Sequence, residues 1–237
     1  MSQTPITGIV FDKDGTLFDF NATWGAWAGR LIRELAADDP SRHNALCSVL
    51  GYDPAAQAFQ EGSIVIAETV QTVSGAILPH LPAGTDRASL IAQMNALAAD
   101  VPQISAAPLP AFMADLSARG LRLGVATNDA EAPARAHLSR AGVLEQFDFV
   151  AGYDSGFGGK PAPGQLQAFC DRFALAPASC VMVGDSLHDL HAGRALGMWT
   201  VGVLTGPAPR AALAPHADVV LPSIADLPAW LDQVAMR

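Results

Sequence analysis

The sequence is short of cations and of sulfur. Its 237 residues hold 14 Lys and Arg against 23 Asp and Glu, a formal net charge of −9 at pH 7. So acidic a chain excludes a broad nucleic-acid interface and an anionic-membrane binder. It leaves an anionic small molecule open, because local charge at a site matters more than the sum. Three cysteines, Cys47, Cys170 and Cys180, are odd in number and show no CxxC spacing. That excludes a disulfide framework and a cysteine zinc site, and points to buried thiols in a reducing cytoplasm. No uncharged apolar run reaches the roughly 18 residues of a membrane span. The opening Met1-Ser2-Gln3-Thr4-Pro5 has neither a basic region nor an apolar one, so no secretory signal is read there. Internal repeats and low-complexity tracts are missing as well.

What is present is apolar and ordered. Half of the residues are hydrophobic, enough for a sizeable core, and the length suits one core with an inserted subdomain. Near the start stands Ile9-Val10-Phe11-Asp12-Lys13-Asp14-Gly15-Thr16-Leu17-Phe18. An apolar strand ends there in two acids one residue apart, and Gly-Thr punctuates the turn. Residues two apart on a strand share a side, so Asp12 and Asp14 face one pocket. Two clustered carboxylates repel unless a cation or a shared proton relieves them. A divalent-metal site with a carboxylate nucleophile and its acid/base partner is the economical reading.

Thr7 to Phe11 reads as the first strand. From Asp19 to Pro102 the pattern is helical, with about four helices and no strand alternation. Trp24, Trp27, Leu31 and Leu35 form an amphipathic stripe; core packing explains the two tryptophans better than a gate over the pocket. Beyond Pro110, strands and helices alternate. Strands are expected at Leu121–Ala126, Phe147–Ala151, Cys180–Val183, Trp199–Val203 and Val219–Leu221. Helices are expected at Ala132–Ala141, Gln165–Phe173, Leu190–Leu196 and Ala225–Val234. Alternation of this kind predicts an α/β fold, a doubly wound parallel Rossmann-like sheet, with a helical cap inserted after the first strand. The expected division is a core of residues 1–18 and 103–237 and a cap of residues 19–102. Such sheets place ligands beyond the carboxyl ends of their strands, where Asp12, Thr127 and Asp185 fall.

Three further runs follow the first: Val125-Ala126-Thr127-Asn128, Gly159-Lys160-Pro161, and Gly184-Asp185-Ser186 with Asp189 behind it. Their order and their places at strand ends or adjoining loops make the chain resemble the haloacid dehalogenase superfamily from about Ile6 to Val203, in its helical-cap branch. The resemblance implies a phosphohydrolase. Asp12 would attack phosphorus and carry an aspartyl-phosphate, and Asp14 would serve as general acid and base. Dehalogenases and phosphonatases of the superfamily lack an acid at Asp14's place, so its presence favours a phosphate ester. Thr127, with Asn128 beside it, would donate to phosphoryl oxygens, and Lys160 would offset their charge. Thr16 contributes either to phosphate binding or to the turn. Mg²⁺ is the implied cofactor, held by the Asp12 carboxylate, the Asp14 main-chain carbonyl and Asp185. Asp189 supports that set or Lys160, or is simply a first-turn acid favoured by the helix dipole, and Ser186 caps the helix or bonds locally. His188 and His191 are expected as exposed residues rather than a metal pair.

The cap has few basic residues, Arg30, Arg33, Arg42 and Arg87, which speaks against a highly anionic substrate clamped by the cap alone. Its hinges are expected at Phe18–Asn21 and Val101–Pro108. General likeness leans to the phosphoglycolate phosphatase-like group, with a small-molecule phosphate ester such as phosphoglycolate or a sugar phosphate as substrate. The rivals are a phosphomutase of the same fold and a non-catalytic binding relative.

Overall fold

The computed structural model describes residues 5–60, 62–66 and 68–235. Strand β1 (Gly8–Phe11) leads into helix α1 (Phe20–Ala36), helix α2 (Pro40–Leu50), and a hairpin of β2 (Tyr52–Asp53) and β3 (Ala58–Phe59). Helices α3 (Val70–Ile77) and α4 (Arg87–Asp100) complete the insert. The hairpin is an addition to the all-helical expectation. Strands of two residues are too short to carry a period-two signal.

Helix α5 (Leu109–Ala118) then leads to β4 (Arg122–Ala126), α6 (Glu131–Arg140), β5 (Phe149–Ala151), α7 (Gly164–Phe173) and β6 (Cys180–Gly184). After them come α8 (Leu187–Leu196), β7 (Trp199–Val203), α9 (Arg210–Leu213), β8 (Val219–Leu221) and α10 (Leu227–Ala235). Six strands form one parallel sheet in the order β5-β4-β1-β6-β7-β8.

The sheet is apolar on both faces, as parallel strands covered by helices must be. Alternation assigns the faces. Ile9, Phe11, Val181 and Val183 pack with α5 and α10 in one cluster, while Val10 and Met182 pack with Leu166 and Phe169 of α7 in another. The insert has its own apolar cluster. It is built from Trp27 and Leu31 of α1, Leu46 and Leu50 of α2, Ile77 of α3 and Met94 of α4.

Two connecting segments join insert and sheet side by side. Asp19 N donates to Ile104 O at 2.8 Å and Ala106 N donates to Leu17 O at 2.9 Å. The register then fixes the site. Phe11 lies level with Val125 of β4 and Val183 of β6, so residues just past these three strand ends gather at one edge of the sheet. The chain leaves β1 toward β4 on one side and meets β6 on the other, the switch point where such sheets bind ligands.

Candidate active site

Asp12 follows β1 and its N–H donates to Val183 O at 2.8 Å. Its Oδ1 accepts from Lys160 Nζ at 2.7 Å, and the same ammonium donates to Asp189 Oδ1 at 2.6 Å. The Lys160 loop is pinned from two sides. Asn128 accepts from Lys160 N at 2.7 Å and donates to Lys160 O at 2.8 Å. Gln165 Nε2 donates to Thr127 O at 3.1 Å and Gly158 O at 2.9 Å. The amide of Asn128 is thus engaged at both ends with Lys160. Thr127 Oγ1 accepts from Asp129 N at 3.0 Å, which leaves its proton for another partner.

Asp185 follows β6, buried. Thr16 Oγ1 donates to its Oδ1 at 3.3 Å, so Thr16 lies against Asp185 rather than among the residues that line the cavity. Only glycine fits beside this carboxylate. A Cβ on Gly15 would fall 2.3 Å from Asp185 Oδ2, and one on Gly206 would fall 1.7 Å from it. Asp189 is placed by the capping box of α8. Its Oδ2 accepts from Ser186 N at 3.0 Å and Ser186 Oγ at 2.7 Å. Helix α8 starts at Leu187, one turn before the expected Leu190, because this box captures the first turn.

One carboxylate oxygen from each of Asp12, Asp185 and Asp189 lies within 4.8 Å of the others, with Lys160 as the ammonium among them. Burial pushes the Asp12 carboxyl up to about 7, against the pull of Lys160. Burial, with Asp12 and Asp189 adding to it, holds Asp185 well above the usual carboxylate range. Burial would lower Lys160, but Asp12 and Asp189 outweigh it and hold the ammonium charged. Three acids thus share one ammonium, two positive charges short, and hard oxygens suit a hard divalent cation. Both oxygens of Asp189 are taken by Lys160 and Ser186. The acids that fit such a cation are accordingly Asp12 and Asp185.

A second ionic cluster, which sequence reasoning missed, stands beside the first. Lys13 is fully buried. Its Nζ lies 2.5 Å from Asp14 Oδ2 and 3.4 Å from Asp129 Oδ2. It also donates to His137 Nδ1 at 3.0 Å and sits 5.6 Å from the ring centroid of Trp24. His137 Nε2 lies 2.7 Å from Ala98 O, in α4 of the insert. A carbonyl only accepts, so His137 is neutral with its proton on Nε2. Burial first, then Lys13, lowers the imidazole to about 4. Burial raises Asp129 to about 6, with Lys13 opposing. Asp14 Oδ1 is buried without a hydrogen-bond partner. The chain has two lysines, and each secures one acid of the Asp12–Asp14 pair. That scarcity, with both lysines inside motifs, is the one sequence signal that could have drawn notice to Lys13.

These groups floor a cavity lined by Asp12, Asp14, Thr127, Asn128, Lys160 and Asp189 below and by the insert above. Trp24 and Trp27 line it too while packing edge to face at 5.2 Å, so they serve both wall and core. His188 reaches the cavity. His191 is drawn away to His216, at 3.2 Å.

The family model for haloacid dehalogenase-like hydrolases matches residues 6–197. A phosphoglycolate phosphatase of Rhodospirillum rubrum is 29% identical over 228 residues, covering 94% of this chain and 90% of that one. A phosphoglycolate phosphatase of Yersinia pseudotuberculosis is 30% identical over 230 residues, covering 94% and 91%. Among solved structures, that of a predicted phosphoglycolate phosphatase from Haemophilus somnus superposes with a TM-score of 0.77 at 19% identity, over 97% of this chain and 99% of that one. Motif order, strand-end geometry and the family match converge, and the chain belongs to the haloacid dehalogenase-like hydrolases.

Proposed function

We propose that this phosphoric monoester hydrolase cleaves a small-molecule phosphate monoester through an aspartyl-phosphate on Asp12. One observation carries the reading. Two carboxylates sit at one cavity, each tied by its own buried lysine, with Asp12 on Lys160 and Asp14 on Lys13. The pair is split in role by its surroundings. Asp12 Oδ1 is steadied by an ammonium at the strand end, which suits in-line attack on phosphorus. Asp14 offers Oδ1, buried and unpartnered, as the atom that hands a proton to the departing alkoxide and later takes one from water.

Attack by Asp12 forms the acyl-phosphate bond as the ester P–O bond breaks, and the alcohol leaves with the proton of Asp14. Water then loses its proton to Asp14 and attacks the phosphorus, releasing phosphate and freeing Asp12. Lys160 and Thr127 hold the phosphoryl oxygens in place, and positioning with electrostatics supplies most of the rate. A divalent cation bound by Asp12, Asp185 and the Asp14 carbonyl, for which Mg²⁺ is the match, would offset charge on the phosphoryl group. In the same reading, residues 19–102 act as a cap that closes over the cavity and excludes water, and sparse cysteine use favours the cytoplasm. The names of the relatives put phosphoglycolate first among the esters to assay.

The test is inorganic phosphate release across a panel of phosphate esters, with and without Mg²⁺ and EDTA. Asp12→Asn is expected to lower kcat by about 10³-fold or more while leaving the circular dichroism spectrum unchanged. Retained turnover in that variant would remove Asp12 as nucleophile. Indifference to EDTA would remove the metal.

A further inference from the structure

The cavity is polar on one side only. Where the sheet supplies acids and an ammonium, the insert supplies Trp24, Trp27, Val70, Val73, Met94 and Ala98. The polar residues on the insert's side are Asn95 and an exposed acid, Glu68. Among the described residues, Lys160 is the one lysine or arginine in the lining, and it is already held by Asp12 and Asp189. The cations of the insert point elsewhere. Arg30 pairs with Glu34 and Asp100, Arg42 donates to Ala36 O, and Arg87 donates to Gln71 O. Arg33 is outside the lining as well.

This arrangement discriminates by charge. The phosphoryl end of a substrate meets Lys160 and the metal-binding acids. The alcohol end meets an apolar wall with a carboxylate, Glu68, among its few polar groups. A carboxylate on the leaving group would shed its water there with no lysine or arginine on that wall to compensate, and would face Glu68. An uncharged apolar body would gain by the same burial. The wall also keeps one spare donor, because Trp24 Nε1 is buried without a hydrogen-bond partner, and an indole N–H accommodates a neutral acceptor as well as a charged one.

Resting on the phosphatase reading, we infer that the leaving group of the preferred substrate is an uncharged alcohol with an apolar body, and not a carboxylate-bearing one such as glycolate. The test compares kcat/KM for phosphate release from benzyl phosphate, para-carboxybenzyl phosphate and phosphoglycolate. The first two share ring and leaving-group chemistry and differ by one carboxylate. Benzyl phosphate is expected to exceed both others by about tenfold or more, chiefly through KM. Adding a cation to the wall by Ile66→Arg, or by Val70→Arg should the first variant misfold, is expected to narrow that gap from the carboxylate side. Equal or better turnover of either carboxylate ester by the unaltered chain would overturn the inference and leave the phosphatase reading standing. No phosphate from any of the three, nor from the wider panel, would overturn both.

Discussion

Lys13 is the residue on which most rests for the least notice in the sequence. It stands between the two acids of the first motif, and its ammonium is enclosed by Asp14, Asp129 and His137. Removing one partner of a buried ion pair leaves the other charge uncompensated in low dielectric. Lys13→Met is therefore expected to destabilise the fold by about 3–5 kcal/mol at pH 7, read as a lower urea midpoint with an unchanged slope. A change below about 1 kcal/mol, the scale of an exposed pair, would mean that this cluster is not held by the lysine. The acids of the motifs were legible because their chemistry is written in short spacings, two residues in the first motif and four in the last. Lys13, Asp129 and His137 were not. Their meaning comes from a meeting of β1, the turn after β4, and α6, and such a meeting leaves no local pattern.

Elements explain how the motif residues are aimed. Helix α8 begins with a reciprocal capping box in which Ser186 and Asp189 satisfy each other's termini. The box does more than start a helix, because the second oxygen of Asp189 holds Lys160. Ser186→Ala should cost about 1 kcal/mol, the usual worth of such a cap. It should also lower kcat several-fold for phosphate release, since the acid that steadies Lys160 is then free to turn. A stability loss with kcat untouched would confine Ser186 to capping. Long elements with apolar period were readable within a residue or two, as at β7 and β8. The start of α8, the β2–β3 hairpin and α9 were not, because capping and two-residue strands escape a periodicity test.

At the scale of the molecule, the parallel sheet with a helical insert was foreseeable from the alternation of strands and helices. Among the described residues no helix is long and apolar enough to cross a membrane. The division into core and cap remains a proposal, and His137 is one of the groups that span it, tied to Lys13 on one side and to Ala98 O on the other. Its imidazole, at about 4 in the fold against about 6.5 unfolded, binds its proton more readily in the unfolded chain. Stability from this group is thus complete above about pH 6.5 and is lost as pH falls toward 4, on the order of 3 kcal/mol in all. His137→Gln should flatten that part of the pH–stability profile in chemical denaturation, and an unchanged slope would count against the assignment. The burial of Lys13 and Lys160, 0% and 5% exposed, has one more consequence. They are the only lysines in the sequence, so an amine-acylating reagent meets no lysine on the folded exterior. Each acylated lysine then records a molecule that had opened, and the speed of acylation clocks how often the interior is bared.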